Sequence, residues 1–179
     1  MFDTPGFADA KGIANMSQFV WGNARQSGGV ITCQHGAEEC LMNTAQNCII
    51  NLAAGNVSQW LPTIKCLEVD GVNQQKVLKK CVEANGYVYA DINTCWKGAQ
   101  GKALDQAAYA ATPTDHQYVP WVTVNGVNIC TDAGCDDVLP AVCAAYTGTP
   151  KPAACAAAPK VVKKALKGGK VHSACPAKW

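Results

Sequence analysis

No stretch of this 179-residue sequence stays apolar long enough to cross a bilayer, which takes about 20 residues; its apolar runs are short patches such as Cys48-Ile49-Ile50. The first residues, MFDTPGFADAKGIANMSQF, lack the basic start and the apolar stretch of about 7–15 residues that a secretory leader needs. C-x-x-C is absent throughout, which removes the paired ligand spacing that zinc sites favour. Acidic residues are missing from the C-terminal end, where Lys151, Lys160, Lys163, Lys164, Lys167, Lys170 and Lys178 follow one another with no counter-charge. Taking those seven from the 15 basic residues leaves eight against 13 acidic ones, so the body is acidic and has no basic patch. The tail then reads as a solvated basic segment, with no nucleic acid and no membrane as partner.

Against these absences stand eleven cysteines. So many thiols persist as stable pairs only in an oxidising compartment, so the chain is expected on the secretory route. Since no leader precedes this body, the expectation is that residues are missing before Met1. An odd count leaves one cysteine over, and Cys175, the fifth residue from the end, is the candidate for a disulfide-linked homodimer. Asn15-Met16-Ser17 and Asn56-Val57-Ser58 are glycosylation sequons, Asn56 the better placed of the two in a loop between helices. The length suits one domain with a genuine core.

Local patterns give an order of elements. Residues 17–22 (SQFVWG) are aromatic and β-branched and read as a strand broken at Gly22-Asn23; a turn at Gln26 to Gly29 leads into Val30-Ile31-Thr32. From Glu38 to about Ala54, Leu41, Ala45, Cys48, Ile49 and Leu52 recur at helical spacing until Gly55. Ser58 is placed to cap a second helix marked by Trp60, Leu61, Ile64 and Leu67, and Asn73 a third that closes near Asn85-Gly86. A fourth, alanine-rich helix spans about Gly101 to Ala111. The β-branched and aromatic run Val119 to Val124, then Asn125-Gly126, then Val127-Asn128-Ile129, is a hairpin, and a last helix covers about Asp136 to Thr147.

Cys33-Gln34-His35-Gly36, Glu39-Cys40, Asn43 and Cys48 spell C-Q-H-G-x2-E-C-x2-N-x4-C. This resembles the signature of the gamma-interferon-inducible lysosomal thiol reductase (GILT) family. The likeness extends through Val20 to Ala24 upstream and through His116 and Tyr118 to Gly126 downstream. It implies an α/β, thioredoxin-like fold over residues 1–148, with a helical, disulfide-rich insertion at about 33–112 and with the first strand and most of the first helix missing. Residues 149–179 form the Pro/Ala/Lys-rich basic tail. The likeness also implies that Val119-Pro120 is a cis peptide lining the substrate groove, with His116 nearby as a proton carrier or as plain polar surface.

Spacing suggests what the cysteines do without fixing their connectivity. A Cys33–Cys40 link staples an entry loop to a helix end. Cys48 lies two turns on, about 12 Å along the axis, too far for Cys40. Cys48 must pair elsewhere, with Cys66 as one candidate, and the other expected pairs, which spacing does not fix, are Cys33–Cys40, Cys81–Cys95, Cys130–Cys135 and Cys143–Cys155. Cys33, His35 and Cys40 are also metal donors, but the oxidising compartment favours the disulfide, and neither metal nor cofactor is expected.

A thiol reductase attacks a substrate disulfide with a thiolate and is released by a second thiol close by. In the resembled family both belong to a pair at a helix N-terminus, where the helix dipole lowers the attacking pKa. This chain has no such pair and no cysteine before Cys33. Three readings follow: a reductase of disulfide-bonded proteins whose reacting pair lies outside this sequence, a non-catalytic thioredoxin-like module that binds extended chains, and a disulfide-stapled secreted protein.

Overall fold

In a computed structural model, residues 13–69, 74–130, 135 and 138–157 are described. The expected Asn73 cap, the start of the last helix at Asp136, and Cys175 lie outside them. The chain divides into two compact units, one of Met16–Asp115 and one of Met1–Asn15 with His116–Trp179.

The first unit opens with a hairpin, β1 (Arg25–Ser27) antiparallel to β2 (Val30–Thr32) with Ser27 opposite Val30. Gly28 and Gly29 take φ of 55° and 78°, the left-handed pair that a two-residue turn needs to match strand twist. Residues 17–22, expected as a strand, join no ladder. Their backbone is satisfied by a side chain instead: Val20 N–H donates to Asn47 Oδ1 and Val20 C=O accepts from Asn47 Nδ2, both at 2.9 Å. An amide side chain thus takes the place of a neighbouring strand.

Five helices follow: α1 (Ala37–Leu52), α2 (Val57–Val69), α3 (Gln74–Ala84), α4 (Tyr89–Lys97) and α5 (Ala99–Ala111). α1 is central and packs against the other four. Its two outermost expected core positions, Leu41 and Leu52, are 45% and 41% exposed, whereas every residue from Thr44 to Ile49 is buried. Asn56, not Ser58, caps α2, its Oδ1 accepting the Ser58 N–H at 3.1 Å. α3 closes with Gly86 N–H on Glu83 C=O and Tyr87 N–H on Val82 C=O, the paired bonds of a Schellman motif. The core gathers Ile49, Trp60, Ile64, Leu67, Leu78, Val82 and Ile92. Within it, buried Tyr87 donates its hydroxyl to Ile49 C=O at 3.0 Å, and burial pushes the phenol up to about 12, so it stays neutral.

The cysteines of this unit correct two of the expected pairs. Cys48 bonds Cys95 and Cys66 bonds Cys81, in place of Cys48–Cys66 and Cys81–Cys95; Cys33–Cys40 is as expected. The reason is α4, which the sequence patterns did not reveal. It lies along α1 and carries Cys95 to Cys48, while α2 and α3 pack as neighbours and bring Cys66 to Cys81. Loop-closure entropy attributes about 4 kcal/mol to the bond spanning 47 residues and about 2 kcal/mol to one spanning five.

In the second unit, β3 (Thr123–Val124) pairs antiparallel with β4 (Val127–Asn128) through Asn125 and Gly126, at φ of 50° and 80°. Of the expected strand Val119 to Val124, only the last two residues enter the ladder, and Val122 C=O extends it by accepting Ile129 N–H at 2.9 Å. Val119-Pro120 and Thr149-Pro150 are cis. α6 (Val138–Ala145) and a short α7 (Ala153–Ala157), unforeseen in the tail, are joined by Cys143–Cys155. Lys151 Nζ donates to Cys143 C=O at 3.0 Å, a cation meeting the carbonyl end of α6. The last of the five bonds is Cys130–Cys135. The architecture of the described residues is mixed, helical with two small antiparallel sheets. None of their helices is long and apolar enough to cross a membrane.

Peptide mapping without reduction is expected to recover Cys48 joined to Cys95 and Cys66 joined to Cys81; a peptide joining Cys48 to Cys66 would refute this connectivity. Packing at α5 gives a second test. A Cβ on Gly101 would lie 2.7 Å from both Cys95 C=O and the Thr44 methyl. Alanine in a helix ordinarily gains about 1 kcal/mol over glycine, but overpacking costs about 1–3 kcal/mol. Gly101→Ala is therefore expected to lower stability in urea unfolding, by about 1 kcal/mol.

Candidate functional site

Around the signature, each side chain holds backbone or a neighbour in place. Asn23 Nδ2 donates to Gln34 Oε1 at 2.8 Å. Glu39, in the first turn of α1, accepts the His35 N–H at 2.6 Å and meets His35 Nδ1 at 3.2 Å. That arrangement resembles a capping box, with a carboxylate reaching back over the helix start. Asn43 Nδ2 donates to Trp21 C=O at 3.2 Å. Gly22 leaves room for Glu39, because a Cβ there would sit 3.3 Å from Oε1. Trp21 itself packs on Tyr109 of α5, ring centroids 5.1 Å apart. Gly36 stands at the N-cap, and Cys33–Cys40 closes the loop against the helix. With both sulfurs bonded, Cys33 and Cys40 offer no thiolate to a metal. Cys48 is used in the core, away from this loop.

Beside the Cys33–Cys40 bond lies a cavity of about 40 Å³, lined by Val20, Trp21, Ala24, Ile31, Asn43 and Asp105 among others. Asp105, half-buried on α5, is its only acid and was not singled out by any sequence pattern. Oδ2 lies 2.6 Å from Thr44 Oγ1 and Oδ1 accepts from Asn47 Nδ2 at 3.3 Å. Burial pushes the carboxyl above its ordinary 3.8, against the lowering effect of the bonds from Thr44 and Asn47. Thr44 Oγ1 also lies 3.0 Å from Cys40 C=O, and a hydroxyl has one hydrogen for two acceptors. When Asp105 is protonated it donates to Thr44, and Thr44 is left to donate to Cys40.

The substrate-groove candidates lie in the other unit. Val119 is 39% exposed and Pro120 is exposed beside it, both outside the β3–β4 ladder. Behind them Tyr118, His116 and Trp121 form a ring cluster, with Trp121 centroids 5.1 Å from Tyr118 and 5.9 Å from His116. Asn128 Nδ2 donates to Tyr118 Oη at 3.1 Å, and Asn128 Oδ1 accepts the Cys130 N–H at 3.0 Å. Both sulfurs of Cys130–Cys135 lie close to Pro120 C=O, at 3.4 and 3.6 Å. This juxtaposition was invisible in the sequence, where the pair read only as a staple across a short loop. Asn15 and Asn56, the sequon residues, are exposed, and Asn56 spends its oxygen on the α2 cap.

A carboxyl whose pKa is higher in the fold than in the unfolded chain stabilises the fold in acid, and that contribution is lost as pH rises through the raised value. Wild type should therefore lose stability relative to Asp105→Asn as pH rises above 3.8 towards neutrality. Melting temperatures of both proteins across that range check this, and a wild type that gains on the variant as pH rises would sink it.

A family model described as gamma interferon inducible lysosomal thiol reductase (GILT) matches residues 3–85. The chain is 34% identical over 141 residues to the gamma-interferon-responsive lysosomal thiol protein of Arabidopsis thaliana, covering 76% of this chain and 58% of that one. Against the gamma-interferon-inducible lysosomal thiol reductase of Carassius auratus it is 30% identical over 165 residues, covering 84% and 62%. Against that of Mus musculus it is 32% identical over 157 residues, covering 80% and 59%. The chain thus spans about three-fifths of the length of these curated relatives. The signature loop, the stapled helices behind it and these similarities agree that the chain belongs to the gamma-interferon-inducible lysosomal thiol reductase family.

Proposed function

We propose that this chain serves a thiol-disulfide oxidoreductase that reduces disulfides in proteins on the endolysosomal or secretory route, and that it contributes the substrate-binding face, not the reacting pair. The observation that carries this is the state of the cysteines. Ten of them are joined in five disulfides, none in a C-x-x-C, and the eleventh, Cys175, lies outside the described residues. The chain as it stands then has no low-pKa dithiol with which to attack a substrate.

The binding face is Val119 and Pro120. Val119 and Pro120 form an exposed bend leading into a hairpin, which pairs with an extended polypeptide through its main chain, and the Tyr118, Trp121 and His116 rings pack on one another beside it. In this reading the β3–β4 hairpin and α6 are the closing half of a thioredoxin-like domain spanning 1–148, the helices within 33–112 are an insertion, and 149–179 is the basic tail. The signature residues Cys33, Gln34, His35, Gly36, Glu39, Cys40 and Asn43 brace the start of that insertion, and Cys48 braces its core. A glycan at Asn56 and a homodimer through Cys175 belong to the same reading.

An insulin-reduction assay at about pH 5 tests the division of labour. An ordinary thiol with a pKa near 8.5 is then thiolate to roughly three parts in ten thousand. The chain should show no rate above the uncatalysed background, and a clear acceleration would overturn the assignment. In the same preparation a reduced and alkylated extended polypeptide should bind. Val119→Asp, which sets a charge against the incoming chain, should weaken it about tenfold, or about 1.4 kcal/mol.

A further inference from the structure

The five disulfides are not equivalent. Cys48–Cys95 and Cys66–Cys81 tie helices together, with Cys48, Cys95 and Cys81 fully out of solvent in the core, and Cys143–Cys155 ties α6 to α7. Cys33–Cys40 closes the signature loop on α1. Cys130–Cys135 joins no two helices or strands among the described residues. It closes the smallest loop, a separation of five against 7, 12, 15 and 47, so it adds least to the stability of the fold and its opening costs the fold least.

Its surroundings suit a second oxidation state. Each sulfur has the Pro120 carbonyl oxygen within 3.4 or 3.6 Å, so a thiol formed there finds an acceptor without rearrangement. The same peptide segment is the exposed Val119-Pro120 stretch, and Cys130 is locked by Asn128 and neighboured by the Tyr118 hydroxyl at 3.5 Å from its carbonyl. Cys130 and Cys135 retain 6% and 8% exposure.

We propose that Cys130–Cys135 is a thiol-disulfide exchange site apposed to Val119-Pro120, its substrate class being cysteine-containing extended polypeptides. A substrate thiolate attacks one sulfur of the pair. The Cys130–Cys135 bond breaks, a mixed disulfide forms, and the other sulfur leaves as a thiolate that takes a proton from water. A second substrate thiol then attacks the mixed disulfide, so the substrate dithiol is oxidised by two electrons to a disulfide and Cys130 and Cys135 are left as two thiols. At about pH 5 an ordinary thiol is almost wholly protonated, so the reduced pair does not run this exchange backwards at a rate above background. The choice of substrate rests on the proposed role of Val119-Pro120; the exchange chemistry does not.

The test separates the two. The intact chain, any free thiol first blocked with iodoacetamide, is equilibrated at pH about 7.5 in glutathione buffers, quenched by alkylation and mapped by mass spectrometry. Cys130 and Cys135 should open ahead of the other eight, at a [GSH]²/[GSSG] at least tenfold below that for Cys48–Cys95. Opening of Cys33–Cys40 first, or of all five bonds together, would overturn the exchange site, and since no polypeptide is present it would leave the binding face untouched. A peptide carrying one cysteine should then form an adduct on Cys130 or Cys135 and none on a Cys130→Ser, Cys135→Ser double variant. Adducts confined to other cysteines would equally refute the proposal.

Discussion

A helix enclosed on every side must find partners for whatever polar groups it carries, and that constraint organises the larger unit. Thr44, Gln46 and Asn47 are buried on α1. Leaving one such group unpaired costs about 1–3 kcal/mol. Thr44 is answered by Cys40 and Asp105, Gln46 by Glu68 on α2, and Asn47 by both backbone groups of Val20 and by Asp105. These needs decide what may lie beside α1: an extended strap at Val20, the Asp105 face of α5, and α2. Once the strap is fixed, Trp21 and Asn23 stand where Asn43 and Gln34 hold them, Gly22 passes close to Glu39, and the signature loop has its shape.

What the sequence revealed was whatever is decided locally. Gly28-Gly29 and Asn125-Gly126 announce their hairpins because a two-residue turn demands positive φ. α1 and α3 show through spacing and end signals. α4 does not: Tyr89, Ile92, Thr94 and Trp96 are weak helix formers, and their helix is held by burial of Ile92, Cys95 and Trp96. Missing it exchanged the partners of four cysteines. Residues 17–22 look like a strand and are extended, but their partner is the side chain of Asn47, 27 positions from Val20. The signature was legible as a motif, while Asp105 and the approach of Cys130 and Cys135 to Pro120 depend on tertiary packing.

Membership of a thiol reductase family and possession of a reacting thiol are separate properties, and the cysteines here show why. Most of them make it unnecessary for the helices to hold one another by apolar burial alone. Sulfur spent that way is chemically silent, because a bond such as Cys48–Cys95, buried in the core, is shielded from an attacking thiolate.

The link between α6 and α7 changes what the end of the chain means. Lys151 meets the carbonyl end of α6 and Cys155 is bonded to Cys143, so the basic segment is anchored at its root. A protease that cuts the backbone anywhere between Cys143 and Cys155 severs the chain without releasing a fragment. Trimming that detaches the remaining lysines has to fall after Cys155, and a ladder of cleavage products seen only after reduction would be the mark of cuts inside the loop.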